Sequence, residues 1–346
     1  MATTYDHISQ NKRRTVLLVL LFPITFALFT WVAFSLLFTF VIPQENVRPG
    51  SPVQGYYDTM GGDDYHVTSR VPGADRVSTL NGLMLIILPV CWGLAMIWVL
   101  VSYYAGDRLI LSGTGAIPIS KQDQPEIYNL VENLCISRGL PVPKIYIIND
   151  DSLNAFATGR DPQHASVALT KGIVQKLERA ELEGVVAHEL AHVENRDIRL
   201  MLITVAGISF FTFLGEICFR LGLSSGRGRD KNNAGLIFLV LGLTCMIYGY
   251  VVAPLIRLAV SRTREYQADA TAALTTRNPA ALASALRKIS SDSVVESLEA
   301  HPSMAAMCIA VPLKKSSLFA SLSGLWDTHP PIQARIDALT EMDRGF

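Results

Sequence analysis

Thr15 to Ile42 is a run of 28 residues without a charge. It limits the folds open to this chain, because about 20 apolar residues are enough for a helix to span a bilayer. The run is too long for a signal-peptide core, and no small-residue cleavage site follows it convincingly. Leu80 to Gly106 and Asn232 to Ile256 are two further uncharged runs. Leu200 to Phe219 is a weaker candidate, interrupted by Glu216. It reads either as another span or as a buried helix of a large soluble domain. With half of its residues hydrophobic and only 17% charged, the chain reads as a multi-pass membrane protein. Its formal net charge of zero gives no footprint for a nucleic-acid partner. Cys91, Cys135, Cys218, Cys245 and Cys308 are scattered, without a C-x-x-C pair. A disulfide framework or a cysteine metal site is therefore not expected.

Basic residues set the orientation. Lys12, Arg13 and Arg14 precede the first run, which places the N-terminus in the cytoplasm. Residues 43–79 then form an extracytoplasmic loop, rich in Gly and Pro. The run at 80–106 returns the chain to the cytoplasm. Residues 199–260 form an apolar hairpin, and residues 107–198 and 261–346 flank it as two parts of one cytoplasmic domain. The hairpin tip carries Arg220, Arg227, Arg229 and Lys231, which opposes the positive-inside bias. It either crosses the bilayer twice or dips in without crossing; two crossings are preferred.

Residues 107–198 read as a soluble α/β segment. Ile127, Leu130, Val131 and Leu134 share one face of a helix over Gln124 to Arg138. Lys144 to Ile148, Asn154 to Gly159 and Ser166 to Leu169 read as strands. Lys171 to Leu177 and Glu181 to Asp197 read as helices.

The last of these carries His188-Glu189-Leu190-Ala191-His192. Residues four apart share a helix face, so both imidazoles can address one metal ion. Neutral histidines suit zinc, and water held by zinc loses a proton near neutral pH. Glu189 is placed to take that proton and pass it to a leaving amine. The alternative is a surface helix with two solvated histidines. Leu182, Val185, Val186, Leu190 and Val193 argue against it, since they form a stripe that buries the helix, and buried polar groups need partners.

A third ligand is sought downstream. Glu265 and Asp269 have i, i+4 spacing in Glu265-Tyr266-Gln267-Ala268-Asp269. Glu265 would complete a His-His-Glu set, and Asp269 would accept the free N–H of a ligand histidine. Read alone, Arg262, Arg264, Glu265 and Asp269 would be a solvated charged face. The H-E-x-x-H helix favours the ligand role. Substrate binding is assigned to Asn154, Ala155, Phe156, Ala157, Thr158 and Gly159, a short alternating strand at a sheet edge. An extended substrate could pair with it backbone to backbone; an ordinary edge strand is the competing reading.

Four separated motifs resemble the HtpX-type membrane-bound zinc metalloproteases, which belong with the CAAX prenyl proteases among the gluzincins. They are Asn154-Ala155-Phe156-Ala157-Thr158-Gly159, His188 through Asp197, Ser261 through Asp269, and Thr328-His329-Pro330-Pro331 followed by Arg335-Ile336. The resemblance implies one zinc ion on His188, His192 and Glu265, with Glu189 as general base. It implies that Asp269 supports a ligand from behind, and that His329 and Arg335 stabilise an oxyanion or anchor the site. The loop at 43–79 is longer than the tight connection usual in the family.

The expected fold is therefore an α-helical multi-pass membrane protein with a cytoplasmic, mainly α, gluzincin-like protease domain and a small edge β-sheet. The expected function is zinc-dependent cleavage of misfolded or damaged membrane proteins at the cytoplasmic face of the cell membrane, in quality control and stress response. The partners are those substrates and the lipid bilayer. The competing function is a protease-like scaffold that binds membrane proteins without cutting them.

Overall fold

The computed structural model describes residues 74–225, 234–259, 262–291 and 330–344, together with positions 13, 24, 25, 28, 31 and 308. Most of the first apolar run, most of the 43–79 loop, the hairpin tip and His329 lie outside them.

Helix α1 (Ala74–Gly113) passes through Pro89 without ending. It outruns the uncharged segment at both ends, taking in Asp75 and Arg76 on one side and Asp107 and Arg108 on the other, since charged residues are tolerated in a helix. A four-stranded sheet follows, built from β1 (Ile117–Ile119), β2 (Lys144–Ile148), β3 (Ala155–Gly159) and β4 (Ala165–Thr170), in the order β1-β2-β4-β3. β2 and β4 are parallel, and both outer pairs are antiparallel. Ile145, Ile147 and Ile148 give β2 the β-branched character that suits a pleated surface.

Between β1 and β2 lies α2 (Pro125–Arg138), opened by Pro125 and closed by Gly139 at φ 65°. That left-handed cap is a role only glycine fills without strain. The short α3 (Lys171–Lys176) leads to α4 (Arg179–Glu194), α5 (Asp197–Ser225) and α6 (Ala234–Ala259). The chain continues as α7 (Arg262–Thr276) and α8 (Pro279–Ser291), with α9 (Ile332–Asp343) near the C-terminus.

The sheet separates two cores. On one face Ala155, Ala157, Val167 and Leu169 meet Val185, Val186 and Leu190 of α4, with Leu282 and Leu286 of α8. On the other, Phe156 and Ala168 meet Leu200, Met201, Leu202 and Val205 of α5, with Cys308.

The α4 helix is held in place by its N-terminus. The Glu178 N–H donates to Glu181 Oε2 at 2.9 Å, and Glu181 also accepts from Lys288 Nζ and Ser284 Oγ of α8, each at 2.6 Å. Gly184 lets α8 come close, since a Cβ there would meet Leu282 at 3.2 Å.

The sequence pattern ran α4 on to Asp197. The helix instead ends at Glu194, Arg196 takes φ 60°, and a new helix starts at Asp197. A non-glycine residue in that region costs on the order of 1 kcal/mol. The cost marks a turn that surrounding contacts enforce.

Candidate metal centre

His188 and His192 lie one turn apart on α4, and Glu265 is in the first turn of α7. All three are buried. The two Nε2 atoms are 3.2 Å apart. His192 Nε2 is 3.6 Å from Glu265 Oε1, and His188 Nε2 is 3.8 Å from Glu265 Oε2. Bonds of about 2.05 Å to a tetrahedral zinc separate neighbouring ligand atoms by about 3.3 Å. Two imidazoles and a carboxylate at these separations fit zinc.

The other nitrogen of each imidazole faces a carboxylate. His188 Nδ1 is 2.9 Å from Asp269 Oδ1, and His192 Nδ1 is 3.1 Å from Asp197 Oδ2. An ionised carboxylate only accepts, so each Nδ1 donates its proton, and in the neutral ring the Nε2 lone pair faces the cluster. Asp269 is braced by Arg335, whose Nη2 and Nε donate to its two oxygens at 2.7 and 2.8 Å. Burial opposes ionisation of Asp269, but the Arg335 charge and hydrogen bonds outweigh it and hold the pKa below the usual carboxylate value. Arg335 is wholly buried, and its Nη1 is 3.6 Å from Glu265 Oε2. That geometry fits the anchoring role rather than a donor waiting for substrate. Removing one partner of a buried pair of this kind costs about 3–5 kcal/mol.

Burial disfavours a charged His192. The Asp197 hydrogen bond, with the charges of Glu265, Asp197 and Glu189, outweighs it and holds the pKa up at about 9. At neutral pH a metal must therefore displace a proton from this ring, and binding weakens as pH falls.

Glu189 is buried beside His188. Its charge is felt by His192, by Arg335 and by the buried Cys308 thiol, whose pKa is pushed up by burial first and by Glu189 second.

The structure thus brings His188, Glu189, His192, Glu265, Asp269 and Arg335 into one cluster. His329 lies outside the described residues. Asp197 and Arg264 were not singled out by the sequence. Asp197 reads there as the end of a helix and of the His188–Asp197 motif, and Arg264 as one of several charges on a face within the Ser261–Asp269 motif, neither with a role at the metal. Arg264 Nη1 is in fact buried, 3.3 Å from Asp197 Oδ1.

Among the described residues β3 is the outer strand of the sheet, next to β4 alone. The pairing Ala155↔Leu169 through Gly159↔Ala165, with Thr170 N donating to Asn154 O at 3.0 Å, fixes which groups face β4. By the antiparallel alternation, Phe156 and Thr158 bond to β4, while Ala155, Ala157 and Gly159 point to the free edge. Asn154 precedes the strand, and its Oδ1 accepts the Ala155 N–H at 3.0 Å. All five strand residues are buried, packed between α4 and α5.

The family model described as Peptidase family M48 matches residues 121–343. The protein named Protease HtpX homolog from Bacteroides fragilis is 40% identical over 337 residues, covering 96% of this chain and 97% of its own length. The Protease HtpX homolog of Tropheryma whipplei is 43% identical over 246 residues, covering 71% of this chain and 82% of its own. Among solved structures, the crystal structure of S. mikatae Ste24p aligns with a TM-score of 0.43 at 20% identity, over 77% of this chain and 60% of that one. The M48 match takes in the His188–His192 turn, Glu265 and Arg335 together, and a relative matches almost end to end, so the chain belongs to peptidase family M48 and is a metallopeptidase.

Proposed function

We propose that this chain is an integral-membrane zinc endopeptidase that cleaves misfolded or damaged membrane proteins at the cytoplasmic face. The observation that carries the reading is the cluster of His188, His192 and Glu265, three buried donors within 4.8 Å of one another, with Glu189 beside them. A scaffold has no use for a carboxylate next to two backed imidazoles.

In this reading His188, His192 and Glu265 hold the zinc. Zinc, when bound, supplies Lewis acidity and makes water acidic enough to attack at neutral pH. Glu189 takes the proton of the attacking water and delivers it to the leaving amine. Asp269 and Arg335 keep His188 aimed, and burial of the cluster strengthens each of these interactions. His329 is proposed as an oxyanion donor from the family pattern alone.

Apolar surface supports the membrane placement. Trp92–Gly113 in α1 is long and apolar enough to cross a bilayer, and Phe238–Gly249 in α6 is a shorter apolar stretch. Trp92, Leu94, Ile97 and Leu100 are exposed on α1, as are Phe213, Ile217 and Leu223 on α5 and Leu243 and Ile247 on α6. Extensive exposed apolar surface of this kind marks a membrane or partner site. α5 has 29 residues and α6 has 26. At 1.5 Å per residue each is longer than the ~30 Å hydrocarbon layer, so length permits two full crossings, although α5 carries Asp197, Arg199, Glu216 and Arg220 within that length. They pack tightly where a Cβ on Gly242 would meet Phe219 N at 2.8 Å, as small residues allow in membrane helices. Thr25, within the first apolar run, shares a hydrogen bond with Tyr248 of α6 at 2.6 Å, which supports bundling of that run with the hairpin.

Topology is tested by single cysteines in a cysteine-free background. Met60→Cys and Gly226→Cys are expected to react with an impermeant thiol reagent from outside intact cells, and Gln122→Cys only after permeabilisation. Labelling of Gln122→Cys from outside would overturn the cytoplasmic placement. Protection of Gly226→Cys would mean that the hairpin dips without crossing.

The free edge of β3 is the proposed substrate ledge. The N–H groups that would serve are those of Ala157 and Gly159, whereas Thr158 donates to β4. Protein stripped with a chelator and reloaded with zinc is expected to cleave casein, an unfolded protein. In that assay Ala157→Pro is expected to raise KM roughly 3- to 10-fold, the worth of one hydrogen bond, with zinc content retained. No cleavage by zinc-loaded parent protein would favour the scaffold; an unchanged KM in Ala157→Pro would remove this edge as the ledge.

A further inference from the structure

We propose that Asp197, held by Arg264, is the positioning carboxylate for His192. The two metal-binding imidazoles are then oriented by two separate arginine–aspartate pairs. This rests on the reading of His192 as a zinc ligand.

The backbone shows that the contact is built. At about 100° per residue, a position five residues on from His192 in a continuous helix would lie about 140° away around the axis. Asp197 could not reach the ring from there. The break at Asn195 and Arg196, with Arg196 at φ 60°, turns the chain so that Asp197 Oδ2 comes 3.1 Å from His192 Nδ1. The backbone departs from the favoured regions at the one place where doing so makes this contact.

The second oxygen of Asp197 is also used. Arg264 Nη1 donates to Oδ1 at 3.3 Å, and both side chains are buried. A buried carboxylate needs such a partner to stay ionised. The arrangement repeats what Arg335 and Asp269 do for His188, with residues from other elements: α4 gives the ring, α5 the carboxylate and α7 the guanidinium. Arg264 also directly precedes Glu265. The pair therefore holds α7 against the α4–α5 junction and sets the carboxylate ligand beside the ring.

The test is zinc affinity, measured by competition with a chromophoric chelator, together with the visible spectrum of the cobalt(II)-substituted protein and the melting temperature of the metal-free protein. Asp197→Asn keeps the volume and removes the charge. It is expected to weaken zinc binding about 10- to 100-fold, as loss of a carboxylate behind a ligand histidine does, and to shift the cobalt bands. Arg264→Met is expected to act in the same direction, and the double variant to be no weaker than Asp197→Asn alone. Parental affinity with unshifted bands in Asp197→Asn would overturn the proposal. So would a loss of melting temperature with unshifted bands, which means packing only. If Asp197→Asn does not fold, Asp197→Glu carries the test: it keeps the charge and moves it by one methylene, so unshifted cobalt bands would overturn the proposal. His192→Ala separates the two readings, since parental zinc affinity in that variant would remove His192 as a ligand whatever Asp197 does.

Discussion

Glu189→Gln is expected to keep its zinc and to cleave casein about 10²- to 10⁴-fold more slowly than the parent, the usual cost of losing a positioned acid–base group. The amide has the volume of the carboxylate, so the buried position on α4 is filled as before. It cannot accept a proton, and the attacking water stays protonated. Metal content and kcat are measured on the same preparation. A parental rate at full zinc occupancy would show that Glu189 is not the base.

Glu265→Ala is expected to lose most of the metal and, with it, nearly all activity. Two imidazoles would remain, and a tetrahedral zinc with an open position needs three protein ligands. Asp269→Ala should weaken zinc only about 10- to 100-fold, because it removes support for His188 and not a donor. It also leaves Arg335 buried beside Glu265 without its bidentate partner, so its melting temperature should fall. Equal zinc retention in the two variants would defeat the division of roles between these residues.

Local chemistry was legible in the sequence wherever one element carries it. The α4 motif and the Glu265–Asp269 spacing each sit on a single helix, where a fixed period converts spacing into direction. β2 was read to the residue because its β-branched run is bounded by turn signals. The α4–α5 boundary was not legible. Val193 to Leu200 has neither proline nor glycine, and α4 ends where Arg196 turns to φ 60° and Asp197 meets a ring on the preceding turn. For the same reason Asp197 and Arg264 went unread: their pairing exists only after three helices have met. Among the described residues the strand read at 154–159 runs from Ala155 to Gly159 and lies at the sheet edge. Its hydrogen-bonding parity was not available, since that depends on which residue of β4 lies opposite.

The link between α4 and α5 has a mechanical side. Asn195 and Arg196 are the only residues between the two helices, and two residues reach at most about 7 Å. There is no slack in such a joint. Asp197 bonds back across it to His192, so the joint is closed by a strut as well as being short. A tilt or rotation of α5 is delivered as torque to the imidazole, with no loop in between to absorb it.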